Sequence, residues 1–249
     1  MLQVFKSTAG RPLTSSLLSM ICCAPVFALA EVDVHRLNID EPFSDSIKLK
    51  LKPYHNQITT LNVMSGAGGH VFDNSKLFPK LEAAILCADS ATNAQLLKKL
   101  VSNFPNFKHL AIRQNEKLSY ESMVLISRLK NLENLGLNCD LADPESFKLA
   151  PRSLTELLIS SKDAVSWHFA NLPHLRLLKM DGPVDLKILS ALPREKLEEL
   201  NIENGLTHEA VNKISSFKNL RFLFMPKAHL TKSDCAYLHS LKIEKVLCP

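Results

Sequence analysis

Glycine is scarce in this chain, with seven residues in 249. That is too few for a sandwich or barrel turning tightly between many short strands. A strong charge of one sign is missing as well. The formal net charge is +5, and without Lys6 and Arg11 it falls to +3. Nucleic-acid binding calls for a concentrated basic face, which such a small surplus does not provide. Catalytic signatures are also lacking. There is no G-x-S-x-G, no H-E-x-x-H, no G-x-G-x-x-G and no phosphate-binding loop. The only glycine-rich stretch, Ser65-Gly66-Ala67-Gly68-Gly69, has no Lys-Ser or Lys-Thr after it and reads as a turn. What remains is ordinary globular composition, 46% apolar and 22% charged, which argues against disorder.

Long apolar runs are absent except at the start. Leu17 to Ala30 is uncharged, follows the basic residues Lys6 and Arg11, and closes on the small-x-small pattern Ala28-Leu29-Ala30. Fourteen residues are short for a membrane span. The segment therefore reads as a secretory signal peptide over residues 1–30, cleaved before Glu31. A membrane-anchored N-terminus is the weaker reading, and scarce arginine argues against a mitochondrial presequence. Cys22 follows Ile21 and Cys23 follows Cys22; without a small residue before either, lipid attachment is discounted. The expected product is residues 31–249, acting as a secreted or otherwise extracytoplasmic protein.

A hexapeptide recurs through that product. LENLGL begins at Leu132, LTELLI at Leu154, LRLLKM at Leu175, LEELNI at Leu197 and LRFLFM at Leu220. Upstream are VHRLNI at Val34, ITTLNV at Ile58, LEAAIL at Leu81 and FKHLAI at Phe107, and downstream is IEKVLC at Ile243. Successive starts lie 21 to 26 residues apart. Another apolar residue precedes most starts by three positions, as in Phe78-Pro79-Lys80-Leu81 and Leu172-Pro173-His174-Leu175. Inside the hexapeptide the apolar period is two, which predicts a short strand. Between hexapeptides it becomes three, at Met123, Ile126 and Leu129 and at Val211, Ile214 and Phe217, which predicts short helices. Helix starts are expected at Thr207 and Thr231. One such face is too small to form a core alone, but stacked copies bury a continuous one.

The L-x-x-L-x-L spacing resembles the leucine-rich-repeat superfamily from about Val34 to Cys248. The resemblance implies an α/β solenoid of about ten repeats, with parallel strands on a concave face and short helices outside. It names no substrate, cofactor or metal, and it assigns no subfamily. The ninth position, commonly Asn or Cys in that superfamily, is irregular here: Asp89, Asn115 and Asp140, but Lys162, Pro183, Gly205 and Ala228. The loops after the strands are accordingly expected to be irregular. At the N-terminal end, the alternating stretches Val32–Asp40 and Ser46–Lys52 suit either a capping hairpin or a degenerate first repeat. The final strand, running to Cys248 and Pro249, is expected to present an open edge.

Chemistry-bearing residues are few. Cys235 aligns with Val211 and Cys248 with core positions of other strands, so the two either form a disulfide across the last repeat or remain separate buried thiols. Cys87 and Cys139 lie two repeats apart, at about twice the ~4.8 Å strand spacing, beyond disulfide reach. Cys235 and His239 are four apart on a predicted helix, and His229 and Cys248 could complete a metal set. His239 aligns with Ser215, however, and should face solvent, so no metal is expected. The histidines form no triad-like motif and read as surface residues, with His35 and His109 on the concave side. Trp167 reads as partly buried beside a helix.

The third and fifth hexapeptide positions should face away from the core. In the C-terminal half they carry Leu158, Leu177, Lys179, Glu199, Phe222, Phe224 and Leu247. Exposed aromatics on a sheet mark a contact site. The expected function is therefore a non-catalytic protein-binding module, with the apolar residues making contact and Lys179 and Glu199 setting register. Self-association through the open edge, and a secreted factor acting on host proteins, are the alternatives.

Overall fold

A computed structural model describes residues 3–5, 35–40, 42–64, 70–73, 75–161, 163–164, 167–168, 172–182, 184–203, 206, 208–226 and 230–248. Every hexapeptide in this range folds as one strand. These are β2 (Arg36–Ile39), β3 (Thr60–Met64), β4 (Ala83–Cys87), β5 (His109–Arg113), β6 (Asn134–Asn138), β7 (Glu156–Ser160), β8 (Leu177–Asp181), β9 (Glu199–Ile202), β10 (Phe222–Phe224) and β11 (Lys245–Leu247). All ten pair in parallel and in chain order. A further strand, β1 (Gln3–Phe5), pairs antiparallel to β2. It falls within the expected signal segment, the rest of which lies outside the described residues.

Between strands run α1 (Asp45–Leu51), α2 (Ser90–Asn103), α3 (Tyr120–Ser127), α4 (Leu186–Ala191), α5 (His208–Ile214) and α6 (Lys232–Ser240). Short 3-10 turns replace the helix at Ser75–Leu77 and Pro144–Leu149. Strand and helix thus alternate in a solenoid-like α/β arrangement. Its core is one continuous cluster. The inward residues Leu157, Leu178, Leu200 and Leu223 are fully buried in a row, and Leu97, Met123, Leu189 and Val211 pack from the helices. Each such side chain contributes roughly 1.5–3 kcal/mol on burial.

Residues just after the strands determine where helices begin. The Asp89 carboxylate accepts from the Thr92 N–H, Ser119 from Ser122, and Asp185 from Ile188. Thr231 accepts from the Asp234 N–H while the Asp234 carboxylate accepts from the Thr231 N–H, a complete capping box. The helix start expected at Thr231 is therefore present. α5 begins at His208, and Thr207 itself lies outside the described residues. Asp89, at the irregular ninth position, serves as a helix cap. The adjoining loops are held instead by the fully buried Asn93, whose Nδ2 donates to the Ala88 carbonyl at 3.0 Å and to Gln114 Oε1 at 2.9 Å.

The N-terminal hairpin does not form from the two stretches proposed for it. Ser46–Lys52 is largely helical, in α1, and packs Ile47 and Leu51 into the core while Leu49 stays 70% exposed. Apolar residues at 47, 49 and 51 fit a period of two, but burial follows the i, i+4 pair. A first strand–helix repeat therefore stands at this end. The glycine-rich turn at 65–69 lies outside the described residues.

Candidate functional site

Leu200 and Leu223 point into the core, so their neighbours point out. The outward positions of β7 to β11 form two rows. In one, Glu156, Leu177, Glu199, Phe222 and Lys245 are Cα partners in sequence; in the other, Leu158, Lys179, Asn201, Phe224 and Leu247 are. All seven residues expected to contact a partner thus lie on one face of five adjacent strands, spanning about 20 Å at the ~4.8 Å strand spacing.

Their exposure differs from the expectation in places. Leu247 is 46% exposed, whereas Leu177, Phe222 and Phe224 are half-buried and Leu158 is only 8% exposed. Leu158 lies between Gly136 and Lys179 in register and belongs to the floor of the face. The two phenyl rings stack along β10 with centroids 6.5 Å apart and planes 12° from parallel. A cation covers each ring: the Arg221 guanidinium is 5.2 Å from the Phe222 centroid, and Lys245 Nζ is 5.5 Å from that of Phe224. Cations over aromatic faces are attracted by the ring quadrupole.

The electrostatics are set by burial. The Glu199 carboxyl is pushed up by desolvation, with Lys179 pulling the other way. Lys179 Nζ lies 3.5 Å from Glu203 Oε1. Glu156 is also pushed up, by desolvation first and then by Glu199, although it accepts a 2.8 Å hydrogen bond from Asn134 Nδ2. Two carboxyl groups held away from full hydration flank Leu177, so the face combines apolar, acidic and cationic groups. Compared with protein-family models and with curated proteins, the chain matches none.

A second feature is a charge ladder along the strand entrances. The second hexapeptide positions read Glu82, Lys108, Glu133, Thr155, Arg176, Glu198, Arg221 and Glu244. Arg176 binds Glu198 through two nitrogens at 2.9 and 2.7 Å, and Arg221 binds Glu244 at 2.6 and 3.0 Å. Lys108 reaches Glu82 at 3.4 Å. The alternation is visible in the sequence once the second hexapeptide positions are aligned as a column. At Thr155 it lapses, and an open cleft of about 520 Å³ lies there, lined by Glu133, Thr155, His174, Arg176 and Lys196 among others.

The remaining candidates are dispersed. His35 is exposed and its Nδ1 lies 2.9 Å from the Gln57 carbonyl oxygen. His109 is half-buried on the outward face, and desolvation lowers its pKa. His168 Nδ1 lies 2.7 Å from Glu145 Oε1. Trp167 is 4% exposed against Phe147, with centroids 5.1 Å apart, so it is more deeply buried than expected. Cys235 and Cys248 are half-buried free thiols, and burial first pushes the Cys248 thiol up to about 12, whereas His239 is exposed. His229 lies outside the described residues. Among the described residues no three His, Cys, Asp or Glu side chains gather as a metal set, and no helix is long and apolar enough to cross a membrane.

Proposed function

We propose that the chain is a leucine-rich-repeat protein that works as a non-catalytic binding module for another protein, using the outward face of its sheet. The single observation that carries this reading is the stacked Phe222–Phe224 pair, which adjoins the exposed Leu247 on β11 and is separated from Leu177 by Glu199 of β9. Core-quality aromatics placed on an open sheet are typical of interface anchors. In a solenoid this face is the concave one and suits an extended or convex partner surface. Lys179 and Glu199 fix the partner's register, because partly desolvated charges penalise a mismatched contact. The uncharged N-terminal run supports export, with residues 31–249 as the working domain outside the cytoplasm.

The test is affinity capture with the parent and a Phe222→Ser, Phe224→Ser variant whose circular dichroism matches the parent's. The expected result is a protein bound by the parent and lost by the variant, with affinity falling at least tenfold. Unchanged affinity for every captured protein overturns the assignment.

A second reading rests on β11. Its outer edge pairs with nothing among the described residues, and unpaired strand edges recruit other strands. Self-association through that edge would appear in light scattering as a mass that grows with concentration. A constant monomer mass removes it.

A further inference from the structure

We infer that the cleft at the break in the charge ladder binds a sugar carrying a sulfate or phosphate ester. The cleft lies at the strand entrances, and the assignment stands whether or not the outward face of β8 to β11 binds a protein.

The ladder itself supplies the observation. Each of its cations has a carboxylate in a neighbouring turn: Lys108 has Glu82, Arg176 has Glu198 and Arg221 has Glu244. Beside it, Lys218 reaches Glu195 at 2.8 Å. The alternation lapses at Thr155, between Glu133 and Arg176, and the charges around the lapse are not matched in this way. Among the described residues no carboxylate pairs with His174 or Lys196, both of which line the cleft and are exposed. Arg176 uses Nε and Nη2 on Glu198, which leaves Nη1 for a ligand.

Backbone pairing fixes the spacing of these groups. The Thr155 N–H donates to the Glu133 carbonyl at 2.8 Å, and the Arg176 N–H donates to the Thr155 carbonyl at 2.8 Å. His174 stands two residues before Arg176. Lys196 occupies the position equivalent to His174 in the next turn, each just before its hexapeptide. His174, Arg176 and Lys196 therefore border one end of the cleft. Glu133 borders the other end, two strand spacings or about 10 Å away. Lys130 lies at that end too, its Nζ donating to the Ser127 carbonyl at 2.9 Å.

The two ends call for different groups on one ligand. A tetrahedral oxyanion accepts from an ammonium, a guanidinium and the ring N–H that an imidazole carries in either protonation state. The Glu133 carboxylate only accepts, so it suits hydroxyl donors and repels a second anion. Every lining side chain carries a polar group, which disfavours an apolar ligand. The cleft of about 520 Å³ has room for a small ligand, for which sites of about 300–1,000 Å³ are usual. A sugar with one ester anion meets these demands: the ester at His174, Arg176 and Lys196, and the ring hydroxyls toward Thr155 and Glu133. Sulfated glycans and phosphorylated sugars both present that group.

The test titrates the full chain with N-acetylglucosamine bearing a sulfate ester, the same sugar bearing a phosphate ester, and the unmodified sugar, followed by saturation-transfer NMR. The expected result is binding of an ester and none of the unmodified sugar. Tighter binding of the sulfate ester assigns the site to sulfated glycans, and tighter binding of the phosphate ester assigns it to phosphorylated sugars. Lys196→Ala should weaken ester binding about fivefold, and His174→Ala should weaken it as well. Both side chains are exposed, so neither change disturbs the core. Lys232→Ala removes the same charge from α6 and should leave binding unchanged. The inference is overturned if neither ester binds, or if the unmodified sugar binds equally well. It is also overturned if Lys196→Ala has no effect, or no more effect than Lys232→Ala, since attraction to the overall charge would then account for the binding.

Discussion

At the scale of single residues, burial rather than pairing governs the outward face. Glu156 accepts a hydrogen bond from Asn134, yet its carboxyl is pushed above the ordinary value of 4.5. A carboxyl whose folded pKa exceeds its unfolded one stabilises the fold most below the unfolded value, and that contribution is lost as pH rises through the folded value. Glu156→Gln keeps an oxygen for Asn134 and removes the charge. It should therefore raise the melting temperature by about 1–3 °C at pH 7, and the gain should vanish near pH 4. Calorimetry at the two pH values checks this, and a loss of stability at pH 7 contradicts it. The positions of Phe222, Phe224 and Leu177 were legible in the sequence, because alternation alone sets which face a strand residue occupies. The depth of Leu158 was not, because it depends on the adjoining strands, Gly136 on one side and Lys179 on the other. The cations over the two rings were also missed. Arg221 directly precedes Phe222 in the chain, whereas Lys245 reaches Phe224 only through the register of β10 and β11.

At the scale of elements, helix starts follow local chemistry, and at the N-terminal end burial decides between two periods. Thr231 and Asp234 announce α6 through a capping box visible in four consecutive residues. Thr231→Ala removes a side chain that accepts from the Asp234 N–H, at a cost of about 0.5–2 kcal/mol. Denaturant titration should show the midpoint falling with an unchanged slope. A midpoint equal to the parent's would mean that tertiary packing alone holds α6. The segment of α1 is open between a capping hairpin and a degenerate first repeat in the sequence because Ile47, Leu49 and Leu51 satisfy two periods at once, and burial of Ile47 and Leu51 on a helix resolves the choice toward a first repeat.

For the whole molecule, a short-range repeat yields a long-range surface. The 21- to 26-residue spacing of the hexapeptides was enough to predict parallel strands stacked in chain order. It could not specify the contact made by any one face, since equivalent positions carry different residues in each repeat. The charge ladder from Glu82 to Glu244 shows how neighbouring repeats are matched, although exposed pairs of this kind contribute little to stability individually. Function on this account resides in the outward residues of β8 to β11. The most direct test places a photoactivatable phenylalanine either at Leu247, on that face, or at Leu186, which is 37% exposed on α4. The account predicts that a captured partner cross-links from position 247 and not from position 186; cross-linking from 186 alone, or from neither, would contradict it.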